Sequence, residues 1–289
     1  MLPRRPTFRS ALEAERPLML FGAYDGLSSR LIELAGGKAM FVSGFSVVGG
    51  RYGVPDYGLR AFGDIAGAVA DIMQASSLPA LVDADNGYGD VKNVVHTVNQ
   101  YERLGVGGVV LEDQTWPKRC GHLAGKSVVP MDEAAAKIRA AASERMSPDT
   151  FILARTDART VNGLDDAMRR AEAYLKAGAD GIFIEALETV EELAAVGRAF
   201  DVPILANPIE GGRSPQLSPA EYGELGFAMI GYGITLLLRA AGAMRLAMDD
   251  ILSGRFEHWD SGMSFADFTS AMGIEEWQRI EAAYAARRD

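Results

Sequence analysis

The sequence predicts an α/β fold, a closed (β/α)8 barrel of the TIM type, on three observations. The chain has 289 residues, and such barrels run to about 250. Eight short apolar runs alternate with helical patterns, as parallel strands joined by crossover helices do. Each run finishes on a polar residue, and barrels build their active sites at the carboxyl ends of their strands. An open doubly wound sheet usually has fewer strands, and no G-x-G-x-x-G follows the first run.

In order, the runs are residues 17–23, 38–44, 79–85, 107–113, 151–157, 181–186, 203–208 and 227–233. Each is short and rich in bulky or β-branched residues, as a strand buried on both faces must be. The polar residues that finish them are Asp25, Ser43, Asp83 with Asp85, Glu112, Arg155, Glu185, Asn207 and Tyr232. In the helical pattern of 171–180, Gly178 reads as a C-cap. Beyond the eighth run and its helix, residues 264–286 set Phe265, Phe268 and Met272, then Trp277, Ile280 and Tyr284, at helical spacing. The expected organisation is a catalytic barrel over 1–263 and a helical extension over 264–289. That extension is too apolar to face solvent, so it packs on its own barrel or on a neighbouring one.

Composition narrows the function. Hydrophobic residues make up 48% of the chain and charged residues 24%, an ordinary globular balance. The net charge is −10, from 29 basic and 39 acidic side chains. That argues against a nucleic-acid backbone and against an anionic membrane surface as partners. It leaves an anionic small molecule open, because local charge governs a site. No apolar run approaches the roughly 20 residues of a membrane span. The first 20 residues lack the apolar stretch of a signal peptide. The single cysteine, Cys120, excludes an intramolecular disulfide. A cytoplasmic protein is the expectation.

Three segments carry chemistry. Asp83 and Asp85 fall on one side of an extended segment before the glycine-rich turn of 86–89. Adjacent carboxylates repel unless a proton or cation intervenes. Glu112 and Asp56 extend the set, and hard oxygen ligands favour Mg²⁺, with Mn²⁺ as a substitute, over zinc. Asp85-Asn86-Gly87 is also an ordinary turn signal. The second segment, 117–129, sets Lys118, Arg119 and His122 around Cys120. Neighbouring positive charge is expected to lower the thiol pKa, and Gly121 and Gly125 let the segment move as a lid. In the third, Arg155 suits a two-pronged clamp on a substrate carboxylate, with an ion pair to Glu185 or Asp157 as the structural alternative. Ser43-Gly44 offers a hydroxyl and backbone N–H groups to an anion. His96 and His258 fit no ligand spacing.

Read in order, D-A-D-N-G-Y-G, G-V-V-L-E-D-Q, K-R-C-G-H, A-R-T-D-A and I-L-A-N-P-I-E-G-G resemble the isocitrate lyase/phosphoenolpyruvate mutase superfamily. The resemblance runs from about Leu18 to the C-terminus. Its K-R-C-G-H segment is similar to the lyase branch: isocitrate, 2-methylisocitrate and 2,3-dimethylmalate lyases and the oxaloacetate hydrolase-like enzymes. Phosphoenolpyruvate mutase and phosphonopyruvate hydrolase carry a gate that begins E-D-K, whereas Gln114 follows Glu112-Asp113 here.

The resemblance implies that Asp83 lies closest to Mg²⁺, with Asp56, Asp85 and Glu112 holding its waters. It implies that Cys120 is the catalytic acid on a mobile gate with Lys118, Arg119, Gly121 and His122. Ser43 and Gly44 would receive a carboxylate or keto group, and Arg155, Glu185 and Asn207 would contact substrate carboxylates. It further implies a homotetramer of helix-swapped dimers. The activity implied is Mg²⁺-dependent carbon–carbon cleavage of a small 2-hydroxy di- or tricarboxylate to an α-keto acid and a second carboxylate. Oxaloacetate hydrolysis and carboxyphosphonoenolpyruvate phosphonomutase chemistry are the alternatives. The base stays open between a metal-bound water, a tyrosine and Glu112.

Three positions depart from the lyase pattern, and all line the expected pocket. Phe45 follows Ser43-Gly44 where a small residue is common. Tyr232-Gly233, then Ile234-Thr235, replaces Tyr-Pro after the eighth run. Ile209 precedes Glu210 where methylisocitrate lyases commonly have Thr.

Overall fold

The computed structural model describes residues 5–258 and 260–285; residues 1–4, 259 and 286–289, at or near the ends of the two expected regions, lie outside the described residues. All eight apolar runs form strands: β1 Leu18–Ala23, β2 Met40–Val42, β3 Ala80–Asp83, β4 Gly108–Glu112, β5 Phe151–Thr156, β6 Gly181–Ile184, β7 Leu205–Ala206 and β8 Met229–Tyr232. They pair in parallel in the order β6-β5-β4-β3-β2-β1-β8-β7. A parallel bridge from Ile182 to Ile204 joins the two edges. The fold is the expected (β/α)8 barrel.

Strand pleating sorts the side chains. Phe41, Leu81, Leu153, Phe183 and Leu205 pack together in the interior layer, with Leu18 and Leu20. Val82, Val109, Ile152 and Ala154 instead belong to an outer layer shared with the helices. Phe8, on the helix Phe8–Ala14, joins the interior layer, its ring 5.4 Å from Phe151.

The outer helices follow from simple patterns. Asp90 caps Val91–Arg103, which buries Val94, Val98 and Tyr101 at spacings of four and three. Leu164–Lys176 buries Ala167, Ala171 and Tyr174 in the same way. Gly178 stands one residue past that helix's cap, at φ +109°, a backbone conformation suited to glycine. Among the described residues no helix is long and apolar enough to cross a membrane.

The chain divides into two compact units, one ending at Leu237 and one starting at Leu238. Within the second, the helical spacing of 264–286 resolves into two helices, Phe265–Ala271 and Ile274–Tyr284. Gly273 breaks them at φ +82°. Neither helix buries a side chain within the chain.

Candidate active site

The site follows from the two-residue period of the strands. Ser43, Asp83, Arg155, Glu185 and Asn207 each lie two residues beyond an interior apolar side chain, namely Phe41, Leu81, Leu153, Phe183 and Leu205. They therefore emerge at one end of the barrel and face its axis. Asp25 and Tyr232 do something else. Asp25 caps the helix Gly26–Leu34, accepting from Ser28 N at 2.7 Å. Tyr232 stacks on Phe21 at 5.6 Å.

The carboxylates gather beside β3. Asp83 Oδ1 accepts from Asp85 N at 3.0 Å, and Asp83 Oδ2 from Gly44 N at 3.4 Å. Asp85 has a φ of +47°, which turns the chain sharply after the strand. Lys118 reaches in from the gate, its Nζ 2.8 Å from Asp56 Oδ1 and 2.7 Å from Asp85 Oδ1. All five groups, Glu112 included, are buried. Burial raises Asp85 to about 6 against the pull of Lys118. It likewise holds Glu112 well above the carboxylate range, against Arg155. Lys118 stays charged: burial disfavours its ammonium, but Asp85 and Asp56 more than compensate.

This acid set fits a hard divalent cation. Glu112 Oε1 is buried and accepts no hydrogen bond. Four carboxyls face Lys118 and, at Glu112, one edge of Arg155, which is shared with Asp157 and Glu185. Among the described residues no three of His, Cys, Asp and Glu are arranged to ligate a metal together.

Arg155 spans a second cluster. Its guanidinium donates to Asp157 through Nε at 2.8 Å and Nη2 at 3.2 Å. Nη2 also lies 3.1 Å from Glu185 Oε2, and Nε 3.3 Å from Glu112 Oε2. The fork expected for a substrate carboxylate is thus turned toward Asp157, while Arg155 still lines the cavity. Glu185 accepts from Asn207 Nδ2 at 3.3 Å and lies 3.1 Å from His122 Nε2. His122 Nδ1 accepts from Arg213 N at 3.1 Å, which leaves Nε2 to carry the proton toward Glu185.

The segment expected to act as a gate, 116–129, lies over these groups, with Gly121 against Arg155 and Glu185. Its base is a short antiparallel pairing, with a Gln114–Val128 bridge and Thr115 N donating to Ser127 O at 3.0 Å. Cys120 N donates to Asp56 O at 3.2 Å. Gly121 lies so close to the floor that a Cβ there would overlap Arg155 Nη2 and come within 2.6 Å of Glu185. The expected lowering of the Cys120 thiol does not hold. Burial pushes it up to about 11, with Asp56 and Glu185 adding to the rise and outweighing Arg155 and a backbone hydrogen bond at His122. Burial next to carboxylates overrides the basic neighbours in sequence. Arg119 turns outward, its guanidinium 4.7 Å from the Tyr57 ring and donating to Ala124 O at 3.0 Å.

Most expected residues converge on one cavity. Its polar side carries Ser43, Asp56, Asp83, Lys118, Arg119, Cys120, Gly121, Arg155, Glu185 and Asn207. Its apolar side carries Phe41, Phe45, Phe183, Leu205, Ile209 and Ile234. Gly44, Asp85, Glu112, His122 and Thr235 stand outside this lining. Ser43 Oγ accepts from Ser46 N at 3.4 Å as a helix N-cap. Thr235 donates to Glu210 Oε2 at 3.0 Å. Glu112 lines a separate small cavity with Asp113, Lys137 and Tyr174.

Three features escaped the sequence reading. Lys126 pairs with Asp157 beneath the gate, Nζ to Oδ1 at 2.6 Å. Asp113 gathers Thr156 Oγ1 at 2.7 Å, Tyr174 Oη at 2.8 Å and Arg170 Nη1 at 3.1 Å. The apolar wall adds Phe41, Phe183 and Leu205. The wall was readable, since each residue precedes a polar strand end by two.

The site gathers carboxylates, an arginine and a half-buried thiol at one end of a (β/α)8 barrel. Residues 8–252 match the family described as Phosphoenolpyruvate phosphomutase. The chain is 37% identical over 285 residues to 2,3-dimethylmalate lyase of Eubacterium barkeri, covering 97% of this chain and 98% of that protein. It is 41% identical over 236 residues to 2-methylisocitrate lyase of Bacillus subtilis (strain 168), covering 82% and 77%. The crystal structure of a 2,3-dimethylmalate lyase superposes with a TM-score of 0.91 at 33% identity, over 100% of this chain and 97% of that one. Phosphonopyruvate hydrolase, solved with oxalate and Mg²⁺, superposes with a TM-score of 0.84 at 29% identity, over 96% and 98%. The chain belongs to the phosphoenolpyruvate mutase/isocitrate lyase superfamily, and it is a lyase of that superfamily.

Proposed function

We propose that this lyase cleaves the C2–C3 bond of an alkyl-substituted malate, or a similar C4–C6 2-hydroxy dicarboxylate, with Mg²⁺ as cofactor. One observation carries the reading: the cavity is lined by the Cys120 thiol and cationic groups together with an apolar wall that includes Phe45 and Ile209. A third substrate carboxylate against that wall would be desolvated without a donor, at a cost of several kcal/mol. A methyl group there gains about 0.8 kcal/mol per buried CH₂.

Asp83 would hold the ion, with Asp56, Asp85 and Glu112 around its waters. When bound, Mg²⁺ supplies positive charge to the substrate oxygens that gain negative charge in the reaction. The protein groups do the rest. Ser43, Asn207, Arg155 and Lys118 bind and orient the two carboxylates. Transfer of the hydroxyl proton to a base at the site, Glu112 or a tyrosine, lets the C2–C3 electron pair move onto C3 and its carboxylate, leaving an α-keto acid and an enolate. The Cys120 thiol gives its proton to C3, and the thiolate takes a proton back from solvent once the products leave. The closed gate keeps water from the carbanion. The assembly that completes this enzyme is a homotetramer of paired barrels that exchange their C-terminal helices. A single thiol suits a reducing cytoplasm.

The test is a substrate panel: 2,3-dimethylmalate, 2-methylisocitrate, isocitrate and oxaloacetate, each with Mg²⁺ and with chelator. The alkylmalate is expected to give the highest kcat/KM. Chelator is expected to abolish activity, and Mg²⁺ or Mn²⁺ to restore it. A highest kcat/KM on 2-methylisocitrate contradicts the pocket argument, and full activity in chelator contradicts the metal.

A further inference from the structure

We propose that Lys126 and Asp157 form a positioning pair that seats Cys120 and Gly121 over Arg155, although neither residue lines the cavity. The proposal rests on the gate reading above and extends it to the residues that hold the gate down.

Three gate side chains reach carboxylates of the barrel. Lys118 meets Asp56 and Asp85, and His122 meets Glu185. Both of those contacts belong to the cavity and its rim. Lys126 goes elsewhere. Its Nζ lies 2.6 Å from Asp157 Oδ1, with its side chain 2% exposed and that of Asp157 fully enclosed. It also donates to the backbone carbonyl of Gly121. A lysine this deep in a surface loop is tolerable only when its charge is matched.

The geometry links two ends of one device. Asp157 is also the carboxylate that takes the Arg155 fork. Gly121 is the residue whose backbone rests on Arg155 and Glu185. Lys126 thus touches the residue above Arg155 and the residue that fixes Arg155 from below. Cys120 adjoins Gly121, so its place over the floor is set by the same contact. The far end of the gate is anchored independently: Val129 N donates to Asp113 O at 2.8 Å, and Arg170 Nη1 to Val129 O at 2.9 Å. Opening therefore pivots before Val129, and Lys126 must leave Asp157 when the gate lifts.

Lys126→Met in the full chain tests this, with Lys126→Gln as a second neutral variant and Lys126→Arg to keep the charge. Three quantities are read without substrate: proteinase K cleavage within 116–129, cleavage elsewhere, and the rate of Cys120 alkylation by iodoacetamide. The neutral variants are expected to be cut in the gate and alkylated at least tenfold faster than wild type, with cleavage elsewhere unchanged. Lys126→Arg is expected to stay within about threefold of wild type. On the best substrate of the panel, kcat/KM of the neutral variants is expected to fall at least tenfold. Wild-type cleavage and alkylation rates in the neutral variants overturn the proposal. So does equal acceleration across the whole chain, an Arg variant as loose as Met, an unchanged kcat/KM, or failure of both neutral variants to fold. The first readouts use no substrate, so a wrong substrate assignment leaves them unchanged.

Discussion

The proposed chemistry concentrates on one atom, the Cys120 sulfur, and its surroundings favour the protonated thiol. Burial raises its thiol to about 11, so it is protonated at neutral pH. Replacing it with Ala is expected to leave the fold intact and to cut kcat by about 10²–10⁴-fold, the usual worth of a general acid. Its titration has a definite sign. An unfolded thiol ionises near about 8.5, so the stability due to the neutral folded thiol is full below that pH and is lost as pH rises toward 11. Iodoacetamide labelling should therefore show a midpoint near 11 in folded protein and roughly 8.5 in urea; equal midpoints would contradict the burial argument. The sequence showed the basic neighbours of Cys120 but not the carboxylates that fold around it. Specificity is also a matter of single residues. Phe45→Gly with Ile209→Thr is expected to shift kcat/KM toward 2-methylisocitrate by at least tenfold, since it opens the apolar wall and adds a hydroxyl. An unchanged ranking of the panel would show that neither residue selects the substrate.

Among the elements, strands were the most legible. Eight apolar runs became eight strands because a buried parallel strand has nowhere to place polar groups except at its ends. The same logic exposed Ser43, Asp83, Arg155, Glu185 and Asn207. The segment 116–129 was expected to be a mobile, glycine-bearing gate, but its fastenings to the barrel were not legible. Lys126–Asp157 and Asp113–Arg170 join residues 31 and 57 positions apart, and no local pattern marks such pairs. The Asp113 cluster fixes the base of the gate to the helix Leu164–Lys176. Arg170→Leu leaves a buried carboxylate without its cation, at a cost of about 3 kcal/mol or more. Thermal unfolding is expected to drop by roughly 6–12 °C. A drop under 2 °C would mean that Thr156 and Tyr174 suffice to hold Asp113.

At the scale of the whole molecule, the barrel was readable from length and alternation, whereas the break at Gly273 was not. The spacing of apolar residues runs on across it, and only the backbone reversal separates the two helices. Those helices leave Phe265 at 85%, Trp277 at 68% and Tyr284 at 83% exposure. Apolar surface of that kind calls for a partner, and a second copy of the chain is the one proposed. Removing residues 264–289 is expected to convert tetramers to monomers or aggregates in light scattering; a full-length chain that is monomeric at micromolar concentration contradicts the assembly. The central claim is that this barrel breaks a carbon–carbon bond and protonates the carbanion it makes. Proton NMR of 2,3-dimethylmalate turnover with Mg²⁺ in D₂O tests it most directly. The expected products are pyruvate and propionate carrying one deuterium at C2. No cleavage of the alkylmalate, together with oxalate and acetate from oxaloacetate, would contradict it.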